Sequence, residues 1–317
     1  MRVGLLNNLR AGRSNAQVQR ALHMLGQYPD VVHVETDSAK VLPEALVEFT
    51  RREVDVLVVN GGDGTLQYAL TELLTNPEFE RVRCVAPLRG GRTNMTAMDL
   101  GAHADPVTGL RGLLDDAASG DLSQRLVSRP VLQVRSSGRE SSQYGMFFGM
   151  GMLRRAVQLV HRSFAPGRQG VFGAGLVTAA LLAKVFWRPT DGILAPDKAE
   201  IQLDGRPMTD AEFYLVCACS LNRLFLRMNP FWGSGPGGVR FTALASRARR
   251  IAAATPGILR GRPRAFVSEA NGFTSQNVER AQLRLGCGFT IDGEIFEPDA
   301  DELVTVAADR RIQFLRA

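Results

Sequence analysis

The stretch Val54–Leu66, VDVLVVNGGDGTL, constrains the fold more than any other part of the chain. Its apolar run, with valine at 54, 56, 58 and 59 and Leu57 between them, reads as a parallel strand buried on both faces. The strand ends abruptly in Asn60, Gly61, Gly62, Asp63, Gly64 and Thr65, and a helical pattern resumes over Leu66–Leu74. Glycines at 61, 62 and 64 let the backbone turn sharply and come close to a ligand. A glycine loop that feeds a helix N-terminus is a phosphate site, because free backbone N–H groups and the helix dipole both favour an anion. Asp63 alone would repel a phosphate, so it is expected to hold Mg²⁺ or to engage the group that receives the phosphate. A tight strand-to-helix turn with an N-capping Asp accounts for the same residues.

The first half of the chain alternates in the α/β manner around that strand. Arg2–Asn7 and Val31–Glu35 read as strands, and Ser14–Leu25 and Val41–Arg51 as helices. Cys84–Pro87 is another short strand, followed by the loop Leu88–Asn94 (LRGGRTN), a helix over Met95–Leu100 and Gly101 as its C-cap. Two glycine loops are thus delivered to one edge of a parallel sheet, where open α/β sheets bind their ligands.

A length of 317 residues suits two domains, and a 45% hydrophobic composition without low-complexity tracts argues for a folded globular chain. Near the N-terminus only Val3–Leu6 is apolar, too short for a signal peptide. The cysteines at 84, 217, 219 and 287 are scattered, which fits a reduced cytoplasmic setting better than a disulfide framework. Cys217 and Cys219 share one strand face, and with no histidine nearby in sequence they do not suggest a metal site.

From about Leu126 the pattern becomes β-rich. Short runs at Val131–Val134, Gln143–Gly149, Glu200–Leu203, Glu212–Cys219, Val239–Leu244, Phe266–Glu269 and Gln282–Leu285 are separated by turn signals. Met152–Thr190 interrupts them with helical spacing, six basic residues and no acid before Asp191. Its apolar part, Val171–Trp187, is short for a spanning helix, and both a core helix and an interfacial helix fit it. Ser246–Arg264 carries six arginines and no acid. It reads as a solvated loop or as a contact with anionic headgroups, where each charge contributes about 1 kcal/mol. In Phe289–Phe296 (FTIDGEIF), Asp292 and Glu294 would share a strand face, whereas a turn at Asp292-Gly293 would splay them; Asp-Gly favours the turn. Leu303–Ala307 and Ile312–Leu315 read as a terminal hairpin.

Asn60–Thr65 behind its strand, Pro87 with the Gly-Gly-x-Thr-Asn loop, the following β-rich half and the late Asp292-Gly293-Glu294 occur in an order that resembles the diacylglycerol kinase catalytic-domain family, which includes bacterial lipid kinases and the sphingosine and ceramide kinases. The resemblance covers essentially the whole chain. It implies an α/β N-terminal domain, similar to phosphofructokinase and NAD kinase, over residues 1–126, with 302–317 packing back on it, and a C-terminal β-sandwich over 127–301 that takes the lipid.

By position, the resemblance makes Asn8 and Gly12 the nucleotide-side turn after the first strand, with Leu9 where the family usually has Pro. Thr36 would touch the nucleotide. Gly61, Gly62, Asp63, Gly64, Thr65 and Gln67 would wrap the phosphates of ATP, with Asp63 as the Mg²⁺ residue. The family's Gly-Thr-x-Asn-Asp loop aligns with Gly91, Arg92, Thr93, Asn94 and Met95, so Arg92 replaces Thr and Met95 replaces Asp; an arginine there can still stabilise phosphate charge. Glu294, with Asp292 beside it, corresponds to the proton acceptor of the Asp-Gly-Glu motif. The family's acidic segment for a structural Mg²⁺ corresponds here to Gly235–Val239, and no carboxylate lies between Glu212 and Glu269.

The function this implies is ATP-dependent phosphorylation of a primary hydroxyl on a membrane lipid such as diacylglycerol, ceramide or a sphingoid base. The implied setting is cytoplasmic, peripheral at the inner face of a membrane. A net charge of +6 favours visits to an anionic surface, and the apolar residues Leu176–Trp187 and Leu224, Phe225, Leu226, Met228, Phe231 and Trp232 are candidates for lipid access or for ordinary core. No motif supports nucleic acid as a partner. Two other functions compete. An NAD kinase-like small-molecule kinase shares Gly-Gly-Asp-Gly, and a catalytically weak lipid- or nucleotide-binding sensor would explain Arg92 and Met95. A monomer and a homodimer are both compatible with the sequence.

Overall fold

The computed structural model describes residues 1–9, 20, 21, 23–37, 41–163, 192, 195–299 and 302–317. The chain divides into two compact units, one built on Met1–Arg129 and closed by Arg311–Ala317, the other lying within Pro130–Arg310.

In the first unit β1 (Val3–Asn8), β2 (Val32–Thr36), β3 (Val56–Asn60) and β4 (Cys84–Pro87) form a parallel sheet in the order β2-β1-β3-β4. Every residue of β3 is buried, which is why its valine run is continuous rather than alternating. Helices α1 (Leu42–Arg51), α2 (Asp63–Thr75), α3 (Met95–Leu100) and α4 (Pro106–Ser119) flank the strands. Val56 and Val58 share a core with Val107, Leu110, Leu113 and Leu114 of α4. Toward α1, a Cβ on Gly4 would lie 2.9 Å from Phe49, so the glycine in β1 is what allows that helix to pack so closely. As expected, α3 ends at Gly101, whose φ of 82° is a left-handed C-cap. The helix expected over Ser14–Leu25 lies largely outside the described residues, but residues 23–25 are helical and Met24 is in the core.

The second unit is antiparallel. β5 (Leu126–Ser136) begins in the first unit and pairs with β6 (Gln143–Gly145). Next come β7 (Phe147–Gly151), α5 (Met152–Ser163), β8 (Asp197–Leu203), β9 (Arg206–Pro207), β10 (Glu212–Cys219) and β11 (Val239–Ala245). A short helix α6 (Ile251–Ile258) then leads to β12 (Phe273–Val278), β13 (Arg280–Leu285), β14 (Phe289–Ile291) and β15 (Glu294–Phe296). One layer holds β14-β7-β10-β11-β12 and the other β8-β13 with the start of β16 (Leu303–Leu315). Phe148, Met150, Val216 and Phe289 from the first layer meet Ile201, Leu283 and Val304 from the second in one core, the expected sandwich.

Four expectations for this half change. Phe266–Glu269 is a loop that tucks Phe266 and Val267 against Ala254 and Phe273, so its hydrophobicity serves packing rather than a strand. Ser246–Arg264 is not one solvated loop: it contains α6, and Arg247 pairs with Asp210 and donates to the carbonyls of Glu269 and Ala270 at 2.8 and 2.6 Å. The terminal hairpin is a single strand of 13 residues, β16. Leu303–Ala307 pair antiparallel with β13, and Gln313 and Phe314 pair parallel with β4; the polar stretch Asp309–Arg311 is exposed strand, with no Gly or Pro to turn it. In the basic insertion Arg154 donates to Glu297 at 2.7 Å and Arg155 pairs with Asp197, so both are structural. The insertion's apolar part, Val171–Trp187, lies outside the described residues, among which no helix is long and apolar enough to cross a membrane.

Glycines at 233, 235 and 237 have a packing reason. A Cβ on each would lie 2.2, 2.2 and 1.8 Å from backbone atoms of Ser275, Asn277 and Val278, so the segment lies flat along β12 where no side chain fits.

Candidate active site

Because β3 and β4 are neighbours in register, with Val59 opposite Pro87, the two glycine loops leave the sheet side by side. They touch backbone to backbone. A Cβ on Gly90 would lie 2.5 Å from the amide nitrogen of Gly61, and one on Gly91 would lie 2.3 Å from Cα of Gly62. The space enclosed where they meet is about 10 Å³, room for about one water and not for a phosphate.

Asp63 is the first residue of α2, whose N-cap is Gly62. Its carboxylate does not cap that helix but reaches across to the second loop. Oδ2 accepts from Thr93 Oγ1 at 2.7 Å and from the Met95 amide at 3.1 Å, and Oδ1 accepts from the Thr96 amide at 3.2 Å. Asn94, the N-cap residue of α3, is left-handed at φ 49° and spends its side chain on Gly91, accepting from its amide at 2.6 Å and donating to its carbonyl at 2.8 Å. The first amides of α3 are thereby left to Asp63, which caps the neighbouring helix. Burial pushes the Asp63 carboxyl above its usual range, and the hydrogen bonds from Thr93, Met95 and Thr96 oppose that shift.

These contacts change the part expected of Asp63. Both its oxygens are engaged and it is only 6% exposed, so in this arrangement its carboxylate braces the second loop. Gln67, expected beside the phosphates, is fully buried and donates to Thr71 Oγ1 at 3.0 Å.

Other residues fit a polar ligand. Asn8 Nδ2 donates to Thr65 Oγ1 at 2.8 Å, tying the end of β1 to the first turn of α2. Asn7 and Asn60 face each other in register, and Asn60 Nδ2 donates to Asn7 Oδ1 at 2.7 Å. That leaves Asn7 Nδ2 and Asn60 Oδ1 buried without a partner among the described residues. These buried amide groups stand at the carboxyl ends of adjacent parallel strands, the edge where open α/β sheets bind their ligands. Asn7 was not expected here, although two asparagines closing an apolar strand are a visible signal. Thr36 is buried at the end of β2, and its carbonyl accepts from the Leu9 amide at 2.9 Å. Arg92 is half-buried and makes no hydrogen bond or ion pair among the described residues, which leaves its guanidinium available to an anion. Gly12 lies outside the described residues.

In the second unit Asp292 and Gly293, with φ of 49° and 92°, form the two-residue turn between β14 and β15, and so the two carboxylates splay. Asp292 is 5% exposed; its Oδ2 accepts from the Met146 amide at 2.8 Å and its Oδ1 from the Phe147 amide at 2.9 Å. It fixes the β6–β7 junction to the turn. Glu294 opens β15, is half-buried, and its carboxyl makes no hydrogen bond among the described residues. Burial pushes its carboxyl up, and the charge of His161 opposes the shift.

Residues 2–123 match the model of the diacylglycerol kinase catalytic domain. No curated protein matches the sequence. Among solved structures, one of a "putative diacylglycerol kinase" from Bacillus anthracis str. Sterne aligns over 100% of this chain and 96% of its own, with 16% identity and a TM-score of 0.69. A structure of a diacylglycerol kinase from the same organism aligns over 100% and 97%, with 15% identity and a TM-score of 0.62. The likeness to these structures is one of fold.

Proposed function

We propose that this chain, whose residues 2–123 match the diacylglycerol kinase catalytic domain, is an ATP-dependent lipid kinase that phosphorylates a primary hydroxyl of a membrane lipid such as diacylglycerol, ceramide or a sphingoid base. The observation that carries this reading is the pair of glycine loops that Asp63 holds together at the carboxyl edge of the parallel sheet.

The first-turn amides of α2 hold phosphate oxygens from outside the loop, aided by the positive end of that helix. Asp63 keeps the second loop in register and presents Arg92 at the same edge, so Asp63 is a positioning residue. Glu294 accepts the proton of the lipid hydroxyl as its oxygen attacks the γ-phosphorus. The bond from that phosphorus to the bridging oxygen breaks, and ADP leaves. A carboxyl held above its ordinary range is the better base for this step. Asp292 fixes the turn that aims Glu294. A divalent ion, if bound with the nucleotide, would supply charge neutralisation; the chain's own residues contribute position, amide donors and the base.

The test is transfer of label from radiolabelled ATP to diacylglycerol, ceramide, a sphingoid base and NAD in mixed micelles, with Asp63→Ala alongside. Label in one lipid, lost in Asp63→Ala, is the expected result. Label in NAD alone would make the protein a small-molecule kinase. No label in any acceptor, with ATP still bound, would make it a sensor.

A further inference from the structure

A groove of about 650 Å³ in the second unit lies between the loop at residues 223–229 and the end of α6, and neither Asp292 nor Glu294 lines it. Arg223, Arg227 and Arg260 stand on it, its apolar part includes Leu226, Met228 and Leu259, and among the described residues no carboxylate or aromatic side chain lines it. Leu226 is 61% exposed, among the most exposed large apolar side chains described. Leu226 and Arg227 are both left-handed, at φ 56° and 59°, a conformation that costs a leucine about 1 kcal/mol or more.

The loop is built to hold this shape. The Leu224 amide donates to the Met228 carbonyl at 2.8 Å, and Phe225 anchors it at 7% exposure. The Asn229 amide donates to the Leu259 carbonyl at 2.8 Å, and its Oδ1 accepts from Arg240 at 2.6 Å, which ties the loop to the end of α6. A fixed turn thus spends backbone strain on pushing one leucine into solvent among three arginines.

We propose that this groove docks the protein on an anionic phospholipid surface, with Leu226 entering the acyl boundary and Arg227 and Arg260 meeting headgroup phosphates. Charge complementarity selects the occupant: cations around an apolar tip match a surface that is anionic outside and apolar just beneath. A nucleic acid would leave Leu226 in water and find no ring to stack on. The purpose of the docking rests on the lipid-kinase reading; its test does not.

The test is flotation of the full chain with phosphatidylcholine vesicles, with and without phosphatidylglycerol, in the absence of ATP. Wild type is expected to float with the anionic vesicles only and to be released by salt. Neutralising Arg227→Gln and Arg260→Gln together is expected to lower partitioning about fivefold per charge. Leu226→Asn is expected to lower it as well while unfolding no more easily than wild type, because asparagine tolerates the left-handed conformation. Unchanged flotation of either variant, or binding to an RNA oligonucleotide with vesicles ignored, would overturn the proposal. If wild type floats through these residues but phosphorylates no lipid in micelles, the docking stands and the kinase reading fails. If lipid is phosphorylated and the variants float like wild type, the reverse holds.

Discussion

Asp63 in the first unit and Asp292 in the second are both followed by glycine, both buried, and both accept backbone N–H groups from a neighbouring segment, whereas Glu294, two residues beyond Asp292, is half-buried and accepts none among the described residues. Asp204, before Gly205, does the same on an exposed turn, accepting from the Glu279 and Arg280 amides at 3.0 and 2.8 Å. Aspartate beside glycine is therefore a way to fix one backbone segment to another, whether or not chemistry is nearby. A short carboxylate at a sharp turn meets nearby amides at little cost in side-chain entropy. Glu294 stands apart: its charge is desolvated without being hydrogen-bonded, which is how a base is prepared.

That contrast breaks most readily at Glu294. Replacing Glu294→Gln is expected to lower kcat about 10²–10⁴-fold while the melting temperature holds or rises. The sign follows from its raised pKa. The unfolded chain ionises this carboxyl at lower pH than the fold does, so its contribution to stability is fully present below the unfolded value and is lost as pH rises through the folded one. The acidic limb of the kcat profile should lie above the ordinary glutamate range in wild type and vanish in the variant. Wild-type turnover in Glu294→Gln would make it a bystander.

Next in size is the contact between the loops. Gly91→Ala places a Cβ 2.3 Å from the Gly62 backbone, where no flexible side chain can yield, and should cost about 3 kcal/mol in urea unfolding. A change within error would mean that the loops stand further apart in solution. Asp292→Asn is expected to cost about 2 kcal/mol. Asparagine keeps the left-handed turn, but its amide group turns a donor toward the Met146 or Phe147 amide. Smallest is Leu226→Asn, which should gain about 0.5 kcal/mol by relieving the left-handed leucine; a loss would show that Leu226 packs on something.

The sequence made the parallel sheet, the two glycine loops, α3 with its Gly101 cap and the Asp-Gly hairpin legible, because each has a local signature. Helix α4 was not among the expected elements although its signals are local: Asp105 accepts from the Thr108 amide at 3.2 Å, Pro106 opens the helix, and Val107, Leu110, Leu113 and Leu114 keep helical spacing. Strand β12 was not, because Ser275 and Asn277 face the flat glycine segment and need no apolar side chain. Polar residues 309–311 resemble a turn, and only pairing at both ends of β16 keeps them extended. The site showed the same limit. The glycine loop singled out Asp63 and the family resemblance added Thr93, Asn94, Asp292 and Glu294, but neither showed that Asp63 is occupied by Thr93 and the start of α3, which depends on two loops 30 residues apart lying in contact.

The brace itself can be measured without any substrate. Amide hydrogen exchange at Met95 and Thr96, compared between wild type and Asp63→Ala, reads the bonds that Asp63 accepts from the second loop. Exchange faster by about tenfold or more at these two amides, with β3 still protected, is the expected result. Unchanged protection there, in a variant that remains folded, would contradict the role assigned to Asp63 and return its carboxylate to the metal.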